Sequence, residues 1–212
     1  RNVIVTNDRI KQIELDCIIP SFDDKEYKYI RPIGEGSYGS IYLVENNING
    51  KQYALKKIIC KDLYEIMRHK NKLELIYSLK NENLLKIYNL QFKYLDNTTY
   101  YLYVLMEKAQ NDWLLDIRKR ILNKKYYTEN EIIKILKQIV NGLAFMQRNK
   151  VAHRDIKPQN ILIFLGGIYK VADLGEAKII RDINQESTVR GSELYMSPKL
   201  YERHKDGIKS CI

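Results

Sequence analysis

The sequence is short of sulfur, of long apolar runs and of repeats, and each shortage removes a class of protein. Its three cysteines, Cys17, Cys60 and Cys211, form no CxxC pair and have no histidine at ligand spacing. A disulfide framework or zinc site is thereby excluded as the organising principle, and reduced thiols in the cytoplasm or nucleus are expected. No apolar stretch is long enough to cross a bilayer, so no membrane span is expected. No charged-then-apolar leader stands at the start, and no low-complexity linker divides the chain. Arginine-rich runs and basic stretches interleaved with aromatics are not evident, which argues against nucleic acid as the target.

What remains is globular. The 212 residues suffice for one domain with a sizeable core, and 45% hydrophobic with 29% charged residues is not a disordered composition. A formal net charge of +10 serves solubility or a liking for acidic or phosphorylated partners. Residues 1–26 are weakly patterned and read as an N-terminal extension. From Tyr27 to about Leu90 short β-rich runs prevail, with Asn49-Gly50 marking a hairpin between Ile41–Glu45 and Gln52–Ile58. Lys61–Leu79 carries apolar residues at helical spacing. Strands are expected again near Leu84–Phe92 and Tyr100–Met106. Beyond Glu107 the pattern turns helical: Thr128 and Glu131 fit a capping box, and Ile132, Leu136, Ile139 and Leu143 recur on one face of a helix over 129–149.

Four motifs carry chemistry. Gly34, Gly36 and Gly39 lie in Gly34-Glu35-Gly36-Ser37-Tyr38-Gly39-Ser40-Ile41, where glycines let a strand–turn–strand lie close over phosphates. A strand follows rather than the helix of a dinucleotide fold. Lys56 ends Tyr53-Ala54-Leu55-Lys56 on an otherwise apolar strand, and a buried ammonium needs an anionic partner. His153-Arg154-Asp155-Ile156-Lys157-Pro158-Gln159-Asn160 gathers a carboxylate, a lysine and a carboxamide in one loop. Phosphoryl transfer needs such groups to orient the hydroxyl, offset charge and ligate magnesium. Asp173-Leu174-Gly175, after a hairpin turning at Gly166-Gly167, offers a carboxylate to a hard cation.

In this order the motifs resemble the eukaryotic protein kinases over roughly residues 27–200. The resemblance implies an α+β, bilobal fold: an N-lobe over 27–106 with one helix, a hinge over 107–111, and a mainly helical C-lobe over 112–212, incomplete at its end. It implies ATP and Mg2+ as cofactors and a protein serine or threonine as acceptor. Gly34, Gly36 and Gly39 would cover the phosphates, and Lys56 would hold the α and β groups. Asp155 would orient the acceptor hydroxyl, Lys157 would steady the γ-phosphate, and Asn160 and Asp173 would ligate the metal. Adenine would lie between Ile33, Ile41 and Ala54 on one side and Leu162 on the other. Met106 would be the gatekeeper, the Glu107 and Ala109 backbones would bond the base, and Asp112 would reach the ribose. Lys157 is the serine/threonine pattern and Ser192 fits it. Thr188, with Arg154 as its phosphate partner, is the expected activation-segment phosphosite.

Three positions depart from the family pattern. Leu174 replaces the middle phenylalanine of the metal motif. The helix carboxylate for Lys56 is assigned to Glu74, with Glu65 in reserve, although counting back from the next strand lands on Lys72. Ser197-Pro198-Lys199 stands where the family has Ala-Pro-Glu. With the distal helices missing before Ile212, marginal stability and weak activity are expected of these 212 residues by themselves. A catalytically weak fragment acting as a binding module, or a kinase of small molecules, are the competing readings.

Overall fold

A computed structural model describes residues 26–36, 39–94, 100–180, 192–199 and 201–202. The chain forms two compact units, the first reaching to Glu74 and resuming over Lys86–Lys108, the second built from Leu75–Leu85 and from Ala109 onward. Leu75–Leu85, grouped with the first lobe by the sequence, thus packs with the second.

The first unit is a five-stranded antiparallel sheet in the order β1-β2-β3-β5-β4: β1 (Tyr27–Gly36), β2 (Gly39–Asn46), β3 (Gln52–Cys60), β4 (Ile87–Tyr94) and β5 (Tyr100–Glu107). The β2–β3 hairpin forms where Asn49-Gly50 predicted it. Gly50 adopts φ 67°, and the Asn46 Oδ1 accepts the N–H groups of Ile48 and Asn49 at 3.0 and 3.1 Å, an Asx turn that fixes the loop. One face of the sheet buries Val44, Leu55, Tyr103 and Leu105 beneath a layer of tyrosines. Tyr53 meets Tyr27 and Tyr88 edge to face, with centroids 5.8 and 5.2 Å apart, the quadrupole-favoured arrangement. Cys60 is fully buried and unoxidised; burial, with Glu65 and Asp62 adding to it, pushes its thiol up to about 11, leaving it inert. Helix α1 (Leu63–Ser78) follows.

In the second unit, α2 (Trp113–Leu122) and α3 (Glu129–Arg148) accompany two small sheets, β6-β8-β9 and β10-β7. Their strands are β6 (Asn111–Asp112), β7 (Val151–Ala152), β8 (Ile161–Phe164), β9 (Ile168–Val171) and β10 (Lys178–Ile179). The capping box is present: Glu131 N–H donates to the Thr128 hydroxyl at 3.3 Å, and Thr128 N–H to the Glu131 carboxylate at 2.7 Å. The buried stripe of α3 differs from the expected one. Ile135, Ile139, Gly142 and Met146 face the core, whereas Ile132 and Leu136 are exposed. Two apolar stripes were available, and Gly142 decides between them: a Cβ there would stand 2.6 Å from the Asn83 carbonyl oxygen. Only a glycine lets α3 approach the 83–84 backbone so closely. That contact completes a core of Leu79, Leu84, Ile139, Met146, Ile161 and Val171.

Candidate active site

Both units carry residues expected at the site. In the first, Ile41, Lys56 and Val104 stand opposite one another across β2, β3 and β5, as do Leu43, Ala54 and Met106. Cross-strand partners and alternate residues share a face, so Ile41, Ala54, Lys56 and Met106 line one side of the sheet. Lys56 is buried at 9% exposure. The hairpin keeps Gly34 opposite Ile41 and Gly36 opposite Gly39, with a bulge between Pro32 and Gly34 that exposes Ile33; Ser37 and Tyr38 lie outside the described residues. The glycines are not equivalent. A Cβ on Gly34 would meet only the Ile41 Cδ1 at 4.0 Å, but one on Gly39 would sit 1.9 Å from the Lys57 carbonyl oxygen. Gly39 is therefore demanded by the β2–β3 approach before any phosphate is considered. At the end of β5, Glu107 donates its N–H to the Lys86 carbonyl at 3.1 Å, so its carbonyl is the group it can turn to a base.

The helix carboxylates are engaged locally. Glu74 is half exposed and its Oε1 lies 4.0 Å from the Lys70 ammonium, one turn away. Glu65 accepts the Lys61 N–H at 2.9 Å, and its own N–H donates to Asp62 Oδ1 at 2.7 Å, the cap of α1.

In the second unit, four donors surround Asp155. Oδ1 accepts the Ser192 N–H at 2.9 Å and its hydroxyl at 2.8 Å. Oδ2 takes the Lys157 ammonium at 2.8 Å and the Asn160 amide at 3.0 Å. Lys157 also donates to the Ser192 Oγ at 2.8 Å. Burial alone would raise the Asp155 carboxyl; the bonds from Lys157 and Ser192 outweigh it and hold the group below its ordinary value. This carboxylate is thus ionised, weakly basic and well placed to orient a hydroxyl.

Asn160 is fixed by the same loop. Both Asn160 amide bonds run to Asp155, one to its carbonyl at 2.8 Å and one to its side chain, which turns the amide oxygen into the ligand end. The Asn160 carbonyl in turn accepts the Ala172 N–H at 2.8 Å, tying it to the residue before Asp173. Asp173 holds the left-handed conformation, φ 55° and ψ 67°, and Arg154 has φ 68°. For residues other than glycine each costs about 1–3 kcal/mol, so packing must hold both. Two oxygen donors fit magnesium, which takes few protein ligands and completes its shell with water and phosphate oxygens. Among the described residues, no group of three or more histidine, cysteine or acidic side chains could hold a metal.

His153 is the brace. It is 4% exposed, its Nδ1 accepts the Asp155 N–H at 3.2 Å, and its Nε2 lies 2.9 Å from the Ala172 carbonyl. Only the neutral, Nε2-protonated ring satisfies both. Burial pushes its pKa below the ordinary value against the pull of Asp173 and Asp155. Further back, the buried Asn83 donates to the Tyr169 carbonyl at 2.9 Å, and its own carbonyl accepts the Val171 N–H at 2.9 Å. This zips the outer edge of β9, the strand that delivers Asp173. The sequence had not singled out His153 or Asn83 as supports, and Ser192 only as a sign of acceptor preference.

Asp112 pairs with Leu162 across β6 and β8, so these two expected nucleotide contacts are neighbours. The Asp112 Oδ1 also caps α2 through the Leu115 N–H at 2.9 Å. Ala109 belongs to the second unit. Thr188 lies outside the described residues. Lys199 is exposed.

Comparison with known proteins agrees with this chemistry. The family model described as "Protein kinase domain" matches residues 27–210. A probable serine/threonine-protein kinase nek3 of Dictyostelium discoideum is 34% identical over 187 residues, 85% of this chain and 16% of that protein. Serine/threonine-protein kinase cst-1 of Caenorhabditis elegans is 31% identical over 181 residues, 84% of this chain and 34% of its own length. Serine/threonine-protein kinase Nek4 of Mus musculus is 29% identical over 191 residues, 88% of this chain and 23% of its length. The chain thus spans between about a sixth and a third of these relatives.

Proposed function

Because the chain belongs to the eukaryotic protein kinase superfamily, we propose that it transfers the γ-phosphoryl group of MgATP to a serine or threonine hydroxyl of a protein. The observation that carries this reading is the Ser192 hydroxyl, which donates to Asp155 and accepts from Lys157, both at 2.8 Å. A hydroxyl on the carboxylate with a cation beside it is the arrangement an acceptor serine would need. With its pKa depressed, Asp155 orients the attacking oxygen and takes its proton late, as suits a loose transition state. Bound ATP supplies the phosphoryl group, and Mg2+ neutralises charge on its phosphates. Asn160 and Asp173 hold that metal; Lys56, Gly34, Gly36 and Gly39 hold the phosphates. Ile33, Ile41, Ala54, Met106 and Leu162 hold the base, together with the backbones of Glu107 and Ala109, and Asp112 holds the ribose. Thr188 is the regulatory acceptor, and its phosphate pairs with Arg154.

The test is turnover of a mixed protein acceptor with MgATP, followed by phosphoamino-acid analysis. Asp155→Asn should lower turnover by roughly 10²–10⁴-fold without lowering nucleotide affinity, and label should appear on serine and threonine. Equal rates for the two proteins, or label confined to tyrosine, would defeat the reading. A binding module without chemistry is the second reading, favoured by Lys199 in Ser197-Pro198-Lys199; it predicts nucleotide binding with no turnover in either protein.

A further inference from the structure

The end of α2 and the turn after it carry a surface that phosphoryl transfer does not use. Residues 118–126 contain Arg118, Lys119, Arg120, Lys124 and Lys125 and no acid. A helix face turned to water is normally polar, yet Leu115, Arg118, Lys119 and Leu122, one stripe of α2, are all exposed. Leu122 is 82% exposed, Tyr126 69% and Ile121 54%. Lysines at a helix C-terminus answer its dipole and need no further explanation; three large apolar side chains in water among them do.

The tip is also preformed. The Asn123 N–H and side-chain amide both bond the Lys119 carbonyl, at 3.0 and 2.9 Å. The Lys125 N–H bonds the Arg120 carbonyl at 2.8 Å, and Lys124 turns the chain at φ 53°. Arg120 faces inward: it stacks 3.8 Å from the Tyr127 ring and pairs with Asp116 at 2.9 Å and Glu131 at 3.4 Å. It therefore draws two nearby carboxylates away from the outer surface, where Arg118, Lys119, Lys124 and Lys125 stand. Glu129, in the first turn of α3, is the exposed acid next in sequence.

We propose that this tip docks on an anionic bilayer surface, the four cations at the level of the headgroup phosphates and Leu122, Ile121 and Tyr126 entering the acyl boundary. Charge complementarity and the side-chain types select that partner. Aliphatic side chains between cations, with a tyrosine at the rim, suit an interface where hydrocarbon and phosphate lie side by side. Single-stranded nucleic acid would want successive aromatic platforms, and the tip offers Tyr126 alone among its exposed residues. No residue of the tip is assigned to catalysis, so the inference stands whether or not the proposed transfer is correct.

The experiment is sedimentation of the full chain with vesicles of 70:30 phosphatidylcholine and phosphatidylserine, and with phosphatidylcholine alone, at low and high salt. Binding should require phosphatidylserine and weaken with salt. Lys124→Ser with Lys125→Ser should lower the partition coefficient about 25-fold, roughly fivefold for each cation, and Leu122→Asn should lower it at every salt concentration. Thermal melting of each variant checks that it folds; none of the three positions is in the core. Equal binding to both vesicle types, or variants that bind like the parent, would overturn the proposal. So would polyuridylate binding that the lysine variant loses while no vesicle binds.

Discussion

Gly34 and Gly39 belong to one motif, yet the structure predicts opposite consequences for alanine at each. A Cβ on Gly39 would stand 1.9 Å from the Lys57 carbonyl oxygen, where a carbon–oxygen contact wants about 3.3 Å. The backbone must yield by roughly 1.4 Å, and β2 pairs with β3 at that point through Gly39–Ile58 and Ser40–Lys57. Overpacking costs about 1–3 kcal/mol, and one or two weakened ladder bonds add about 1 kcal/mol each. A total near 3 kcal/mol corresponds to a fall in Tm of about 6–12 °C for a chain of this size. Gly34→Ala meets nothing nearer than 4.0 Å, and replacing a glycine in permissive backbone restricts the unfolded chain. Its Tm should stay within about 2 °C of the parent or rise slightly. Nucleotide affinity should nevertheless fall about tenfold, the equivalent of losing one or two backbone bonds to phosphate. Thermal unfolding and a fluorescent-nucleotide titration on the same samples separate the effects. Equal melting of Gly39→Ala and parent would show that the β2–β3 contact does not require glycine; a Gly34→Ala protein as unstable as Gly39→Ala would remove the distinction altogether.

Other perturbations probe the second unit. Gly142→Ala should destabilise by about 2–4 kcal/mol, since its Cβ would press the Asn83 carbonyl at 2.6 Å and the Leu84 side chain at 3.3 Å; denaturant melts would show a lower midpoint at an unchanged slope. His153 is held neutral by burial, so its folded pKa lies below the ordinary 6.5. The unfolded ring takes up a proton first as pH falls, and stability, complete above about pH 6.5, should decline below it with a limiting slope near 1.4 kcal/mol per pH unit. His153→Gln should flatten that slope below pH 6.5; an unchanged slope would show that His153 is not its source. Asp155 shifts in the same direction from a lower starting value, so its share of stability is lost only as pH drops through the carboxylate range.

The residues that perform chemistry were legible because each is a rare side chain at a spacing that few other purposes require. A carboxylate, a lysine and an amide at 155, 157 and 160 announce themselves in one dimension, and so does a capping box, whose partners lie three residues apart. The hairpins at Asn49-Gly50 and Gly166-Gly167 were equally local, since glycine tolerates the positive φ seen at 50, 166 and 167. Long-range choices were not written this way. Two apolar stripes of α3 were equivalent as patterns, and what selects Ile135, Ile139 and Met146 is a backbone approach to Asn83, some sixty residues earlier. Glu74 and Lys72 could each be counted into register with Lys56, and the sequence did not show that the Glu74 carboxylate lies 4.0 Å from the Lys70 ammonium. Ser192 closes on Asp155 across 37 residues, and Arg120 gathers the acids that would otherwise mask the tip of α2. Sequence alone determined which groups the chain carries and how its turns bend, because those depend on neighbours along the backbone. Tertiary structure decided which face is buried and which donor meets which acceptor, because those depend on close approach between segments that no periodicity relates.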